Sequence, residues 1–319
     1  MLSLFLHSVN SLEVLAHEER SFLSYMRETN QIFTGEEYHF RLGIYLSNKR
    51  FVQEHNQGNH GYKLGLNHLA ILTPSEYKVL LGYKGEMNRI HKKHSETEPR
   101  KHTNADSIDW RTKGVVNPIK DQGNCGACWA FAAVQAEESQ WAICNNQLYV
   151  LAEQQLVDCC LLCYGCDGGW PGTAYEFLID YLQGKFMLEK DYPYVAAKNQ
   201  CHFDASKAVA SMKTFIDFEK GETKLAEAVA DYGPVAAAID ASRSTFQMYS
   251  SGIYYDQHCS TILDHAIGVV GYGSEGGNNY WIVRNSWGTS WGEQGYIRMA
   301  KDKNNMCGIS NDVNVPYIK

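Results

Sequence analysis

The phrase Cys125-Gly126-Ala127-Cys128-Trp129-Ala130-Phe131, preceded by Asp121-Gln122-Gly123, leaves its stretch of chain few ways to fold. Gly126 and Ala127 bring a turn to the entry of an apolar helix, where backbone N–H groups point at the Cys128 sulfur. The helix dipole adds to them and favours the thiolate over the thiol, which makes Cys128 a candidate nucleophile. A cysteine in a Cys-x-x-Cys pair can also be a redox thiol, a metal ligand or half of a disulfide. Thioredoxin-like chemistry would place the pair after a strand in a short βαβ unit, and no such unit precedes Cys125.

A nucleophile of this kind needs a base and a group that orients the base. Leu263-Asp264-His265-Ala266-Ile267-Gly268-Val269-Val270-Gly271-Tyr272-Gly273 puts a histidine at the start of an apolar, glycine-ended strand. Tyr280-Trp281-Ile282-Val283-Arg284-Asn285-Ser286-Trp287-Gly288 puts an asparagine at the end of the next, with Trp291-Gly292 following. A lone His or Asn is usually structural, and a loop glutamine such as Gln122 is usually just solvated.

Taken together and in this order, these phrases resemble the papain-like cysteine proteases, of the cathepsin L-like kind, over nearly the whole chain. The family places its His and Asn roughly 130–150 residues after the cysteine; here the separations are 137 and 157. The resemblance implies an α+β fold of two domains, helical on the left and β-barrel-like on the right, behind an N-terminal helical propeptide domain. It implies that Cys128 attacks the scissile carbonyl, His265 accepts and returns the proton, and Asn285 orients the imidazole. Gln122 and the Cys128 backbone N–H would form the oxyanion hole, and Trp287 would shield the Asn285–His265 bond. A thiolate–imidazolium pair is then the expected resting state. No cofactor and no metal are expected.

Ten cysteines suggest an oxidising compartment. The resemblance implies three disulfides, Cys125–Cys166, Cys159–Cys201 and Cys259–Cys307. Cys144, Cys160 and Cys163 depart from the family pattern, as structural or free thiols whose odd number leaves room for a reactive thiol or an intermolecular bridge. Cys160-x-x-Cys163-x-x-Cys166 imitates part of an iron–sulfur run, without the fourth ligand and its proline.

Charge divides the chain in two. Residues 1–104 hold 13 Lys and Arg against 11 Glu and no Asp, whereas residues 105–319 hold 16 against 25, and nine of the twelve histidines lie in the first part. The acidic whole gives no support for nucleic-acid binding. Glu37, Arg41, Tyr45, Asn48, Val52 and Asn56 recur at helical spacing, which fits any amphipathic packing helix. Their order also resembles the family's inhibitory propeptide, with Tyr and Val for the usual Phe and Ile. Gly65-x-Asn67-x-Leu69 continues that pattern, and Ile71 stands where it has an aspartate. The polar stretch from Lys84 to Asn104 reads as an exposed, cleavable linker. We therefore expect a propeptide and linker over 12–104 and a peptidase domain over 105–319, with its helical part near 115–215 and its β part near 216–319.

Residues 1–11 contain a short apolar run broken by His7, read as a short or truncated signal segment. No stretch approaches the ~20 apolar residues needed to span a bilayer, and no Asn-x-Ser/Thr sequon is present. A lysosome-like acidic compartment or secretion is expected, and a monomer. Protein and peptide substrates, the chain's own propeptide and cystatin-type inhibitors are the partners that the resemblance implies.

The family's S2 pocket carries over to Trp170, Pro171, Ala238, Leu263 and Asp312. Its apolar walls favour an apolar P2 residue, and Asp312 at the floor would also admit P2 Arg unless it is a solvated surface carboxylate. His39, His55, His60 and His68 lie in or beside the propeptide motifs and would charge on acidification, so His68 is a candidate pH sensor in place of the missing aspartate. A catalytically silent binding or inhibitory module is the alternative to a protease.

Overall fold

The computed structural model describes residues 16–85, 105–218 and 220–318. The signal segment expected at 1–11 and all but Lys84 and Gly85 of the linker expected at 84–104 lie outside the described residues. Helix α1 covers 16–28; then come α2 (Gly35–Gln57), β1 (Tyr62–Leu64) and α3 (Pro74–Leu80). The second part opens with β2 (Ile108–Asp109), α4 (Cys128–Asn145), α5 (Glu153–Cys159) and α6 (Pro171–Leu182). After β3 (Lys185–Met187), β4 (Ala208–Ser211) and β5 (Thr214–Asp217) come α7 (Glu222–Asp231), β6 (Val235–Ile239) and α8 (Ser244–Gln247). The chain ends in β7 (Tyr249–Tyr254), β8 (His265–Glu275), β9 (Asn278–Arg284), β10 (Tyr296–Ala300) and β11 (Val313–Tyr317).

In α2 the periodic residues divide by chemistry. Tyr45 and Val52 turn inward, and Tyr45 packs on Phe22 and Tyr25 of α1 with ring centroids 5.2 and 5.0 Å apart. Arg41 is the polar hub: its guanidinium donates to Glu37 four residues back and forks onto both carboxylate oxygens of Glu76 at 2.6 Å. Asn48 Nδ2 donates to the Ala70 carbonyl at 2.7 Å, and Asn56 bonds both the N–H and the C=O of Leu64. Helix α3 starts with a Thr73–Glu76 capping box and Pro74 in its first turn.

Helix α4 is buried along most of its length. It lies between two halves, touching α5 and α6 on one side and β6, β8 and β11 on the other. The sheet runs in the order β1-β7-β10-β9-β8-β6-β11-β5, with β2 paired to β8. This path has two ends, so the expected β-barrel-like half is an open sheet. One end is where β1 of the N-terminal part adds to β7, Tyr62 opposite Gly252, a pairing that a closed barrel would forbid. The half expected to be helical also carries the small β3–β4 sheet.

Four disulfides tie the second part: Cys125–Cys166, Cys159–Cys201, Cys259–Cys307 and the local Cys160–Cys163. The last pairing removes two of the three extra cysteines from the thiol pool, and with Cys166 also bridged the iron–sulfur imitation has no thiolates to offer. Cys128 and Cys144 are the cysteines outside disulfides. No helix among the described residues is long and apolar enough to cross a membrane.

Candidate active site

Cys128 is the first residue of α4, so its sulfur sits at the helix entry, completely buried. His265 opens β8, the strand alongside the helix, and the N–H of the next residue, Ala266, donates to Cys128 Sγ at 3.4 Å. Asn285 follows the last residue of β9, whose antiparallel pairing with β8 sets Arg284 opposite Gly268. These two neighbouring strand ends bring His265 Nε2 to 2.8 Å from Asn285 Oδ1.

The Asn285 oxygen also accepts from the Ser286 N–H at 2.8 Å, which fixes the carboxamide's orientation. An amide oxygen can only accept, so the proton of the imidazole lies on Nε2 and Nδ1 is left with its lone pair. Trp287 is buried beside the ring, 4.7 Å between centroids. Phe246 and Trp291 pack behind it.

The N-terminal part seals this arrangement. Tyr77 of α3 meets Trp287 edge-on at 5.7 Å and donates its hydroxyl to the Ala241 carbonyl at 2.6 Å. The chain then enters the cleft. Gln122 Nε2 donates to the Leu80 carbonyl at 2.9 Å, while Ser286 Oγ holds the Gln122 oxygen at 2.7 Å. Gly82 bonds Cys128 through its N–H and accepts from the Gly169 N–H at 2.8 Å. A Cβ on Gly82 would overlap the Gly126 carbonyl, so only glycine allows the strand to pass this close to the cysteine.

The five expected S2 residues also meet this strap. Tyr83 is buried in one apolar cluster with Trp170 and Ala238, with Leu263 against its side. Pro171 starts α6 directly after Trp170. The Tyr83 hydroxyl donates to Asp312, which is 4% exposed and not a solvated surface carboxylate. The sequence phrases did not single out Leu80, Gly82, Tyr83 or Glu76. Glycines at 82 and 85 around a tyrosine, and the Thr-x-x-Glu capping pattern, were the signals available.

Burial in this closed site works against both charged forms of the expected thiolate–imidazolium pair. Burial pushes the Cys128 thiol up to about 12, against the pull of N–H groups from Ala266, Gly82 and Trp129. Burial likewise lowers His265 to about 4, although its bond to Asn285 opposes this. Sealing the cleft beneath the strap takes water away from both groups, and each shift disfavours the charged form of its group. Among the described residues no cluster of His, Cys, Asp and Glu is arranged to hold a metal ion.

Comparisons with known proteins agree with the geometry. The papain family cysteine protease profile matches residues 104–317, and that of the cathepsin propeptide inhibitor domain matches residues 22–77. Digestive cysteine proteinase 2 of Homarus americanus is 40% identical over 298 residues, 90% of this chain and 91% of that protein. Procathepsin L of Mus musculus is 39% identical over 304 residues, covering 90% of this chain and 89% of that one. The solved structure of digestive procathepsin L2 proteinase from Tenebrio molitor larval midgut superposes with a TM-score of 0.85 at 35% identity. It covers 94% of this chain and all of that chain. This chain therefore belongs to the papain family of cysteine proteases, as a cathepsin L-like endopeptidase made as a zymogen with its own inhibitory propeptide.

Proposed function

We propose that Cys128, His265 and Asn285 are the catalytic residues and that Gln122 and the Cys128 N–H are the oxyanion donors. His265 Nδ1 takes the thiol proton as Cys128 Sγ attacks the substrate carbonyl carbon. The carbonyl oxygen becomes an oxyanion held by the two donors. Collapse breaks the C–N bond, and His265 returns the proton to the leaving amine. Water, deprotonated by His265, then hydrolyses the thioester and restores the thiol. The observation that carries this reading is Gln122 Nε2 donating to the Leu80 carbonyl at 2.9 Å. The amide assigned to the oxyanion already grips a peptide carbonyl beside the buried cysteine.

Trp170, Pro171, Ala238 and Leu263 form the walls of S2, with Asp312 at its floor. The pocket takes apolar P2 residues and, through Asp312, P2 Arg. That a buried tyrosine hydroxyl donates to Asp312 supports a floor that accepts a donor. The mature chain begins near residue 105 and acts as a monomer on proteins and peptides, in a lysosome-like acidic compartment or after secretion. Cystatin-type inhibitors would fit the cleft opened by loss of the propeptide.

The test is activation of the purified chain with reductant from about pH 4 to about pH 7.5, a span that brackets imidazole titration. Chain mass is followed together with cleavage of a fluorogenic P2-Leu substrate. Activity should appear with loss of about the first 104 residues, be blocked by an epoxide thiol inhibitor and be absent in Cys128→Ala. A mature chain that stays inactive after another protease removes its pro-part would point instead to a silent binding module. In the active enzyme Asp312→Ala should lower P2-Arg relative to P2-Leu cleavage, and an unchanged ratio rejects the role given to Asp312.

A further inference from the structure

Behind the His265–Asn285 pair, α4 and the strands β8 and β9 enclose a cavity of about 10 Å³. Its walls include Gln135, Gly268, Arg284 and Asn285, with Lys120 and Glu153 at one side. Gln135 and Gly268 make this space together. A Cβ at residue 268 would overlap the Gln135 carboxamide, so a polar side chain enters the protein interior over a glycine.

Three of the lining side chains, each at most 5% exposed, are only partly satisfied. Gln135 Nε2 donates to the Val235 carbonyl at 3.1 Å, leaving Oε1 without a protein partner. Arg284 Nη2 donates to the Pro118 carbonyl at 2.7 Å, leaving Nη1. Asn285 uses its oxygen for His265 and Ser286, leaving Nδ2.

One acceptor and two donors around a space of this size match a water molecule. It would receive hydrogen bonds from Asn285 and Arg284 and give one to Gln135, and one water needs roughly 10–15 Å³. A cation would face the Arg284 and Asn285 donors. An anion would find no excess positive charge, because Lys120 lies 2.8, 3.1 and 3.3 Å from the carboxylates of Glu153, Glu189 and Glu138.

We propose that Gln135 is a positioning residue for catalysis, acting through one buried water shared with Asn285 and Arg284. The water anchors Asn285 Nδ2, and the Oδ1 face of the same planar carboxamide holds the His265 ring. The inference rests on the catalytic reading of His265 and Asn285 given above. It explains why two interior positions are spent on a glutamine and a glycine where a packed apolar pair would bury more surface.

The experiment uses the matured enzyme carrying Gln135→Met, which fills similar space without a strong acceptor, and Gln135→Glu, which keeps one. We expect Gln135→Met to lower kcat about tenfold with KM unchanged and to shift the pH profile of kcat/KM. Small misplacements of catalytic groups cost up to ~100-fold. Gln135→Glu should recover most of the loss. A folded Gln135→Met with the wild-type kcat and pH profile overturns the proposal.

So does a high-resolution crystal structure of the Cys128→Ala zymogen in which the cavity is dry. That measurement does not depend on the Gln135 variants folding. Asn285→Ala, measured alongside, separates the two levels. If it too leaves kcat unchanged, the catalytic reading fails; if it alone lowers kcat, only the role of Gln135 fails.

Discussion

Residues 16–85 and residues 105–318 are stabilised by different means. The propeptide contains no cysteine, since all ten lie at or beyond position 125. Its shape depends on side chains bonded to backbone: Asn48 to Ala70, Asn56 to Leu64, Arg41 to Ile71 and Asn67 to Leu69. The enzyme body has four disulfides, three of them closing loops with sequence separations of 41, 42 and 48. Loops of that length typically contribute ~3–4 kcal/mol each. One part can therefore unfold and be removed while the other persists, as a zymogen requires.

The propeptide itself contacts the enzyme in two ways. Its helices and β1 share a core with the sheet half, whereas the strap at Tyr83 joins the core of the helical half. The docked layer packs on the sheet half, and the strap lies against the buried cysteine.

Three changes would break or sharpen this contrast, each read by mass mapping of the alkylation rate of Cys128 in the intact zymogen, near neutral pH for the first two and across a pH series for the third. Gly82→Ala should act most strongly, because the added methyl meets the Gly126 carbonyl. Overpacking costs ~1–3 kcal/mol, or roughly 5- to 150-fold faster alkylation. A wild-type rate would mean that the strap is not what shields the thiol.

Arg41→Ala removes the fork onto Glu76 and the bond to Ile71, and should loosen the docked layer about tenfold. The effect is held down by the exposure of Glu76, whose side chain is 40% accessible. If this variant alkylates as slowly as wild type, the docked layer does not control access to the cleft.

The smallest expected effect is on pH. Burial lowers His68, against the pull of Asp121, and its Nδ1 lies 2.8 Å from Ser290 Oγ of the enzyme body. Burial also lowers His55, helped by the stacked His60 at 4.0 Å and by Lys63, while the Tyr62 carbonyl and Asp256 oppose it. A group whose docked pKa is depressed supports docking fully above its ordinary value near 6.5, and that support is lost as pH falls below it. In these directions acidification favours release.

Glu76, held down to about 2 by Arg41, adds a second window that opens only below its ordinary value of 4.5. His68→Gln should flatten the rise in alkylation below about pH 6.5 by a few-fold. An unchanged pH curve would remove His68 from the release mechanism.

Much of the site was legible because the chemistry is written in short local phrases. A turn before an apolar helix places Cys128, and the ends of two neighbouring strands place His265 and Asn285. Helical spacing likewise gave the inward faces of Tyr45 and Val52 and the polar set around Arg41. Leu80, Gly82 and Tyr83 were not legible, because nothing in Leu-Leu-Gly-Tyr states what lies across from it. Gln135 escaped for the same reason, since its role depends on Gly268, 133 positions away.

The sequence by itself supplied the candidate residues for chemistry and, through its resemblance to the papain-like family, an inhibitory segment ahead of them, since both are carried by short local phrases. The tertiary structure alone decided that the sheet stays open for β1 to join it, and that Asp312 is buried under Tyr83. It also decided that Cys128 and His265 are fully buried beneath the strap. Burial and edge pairing are properties of segments distant in the chain, and a thiol's charge is set by what covers it as much as by the helix that carries it.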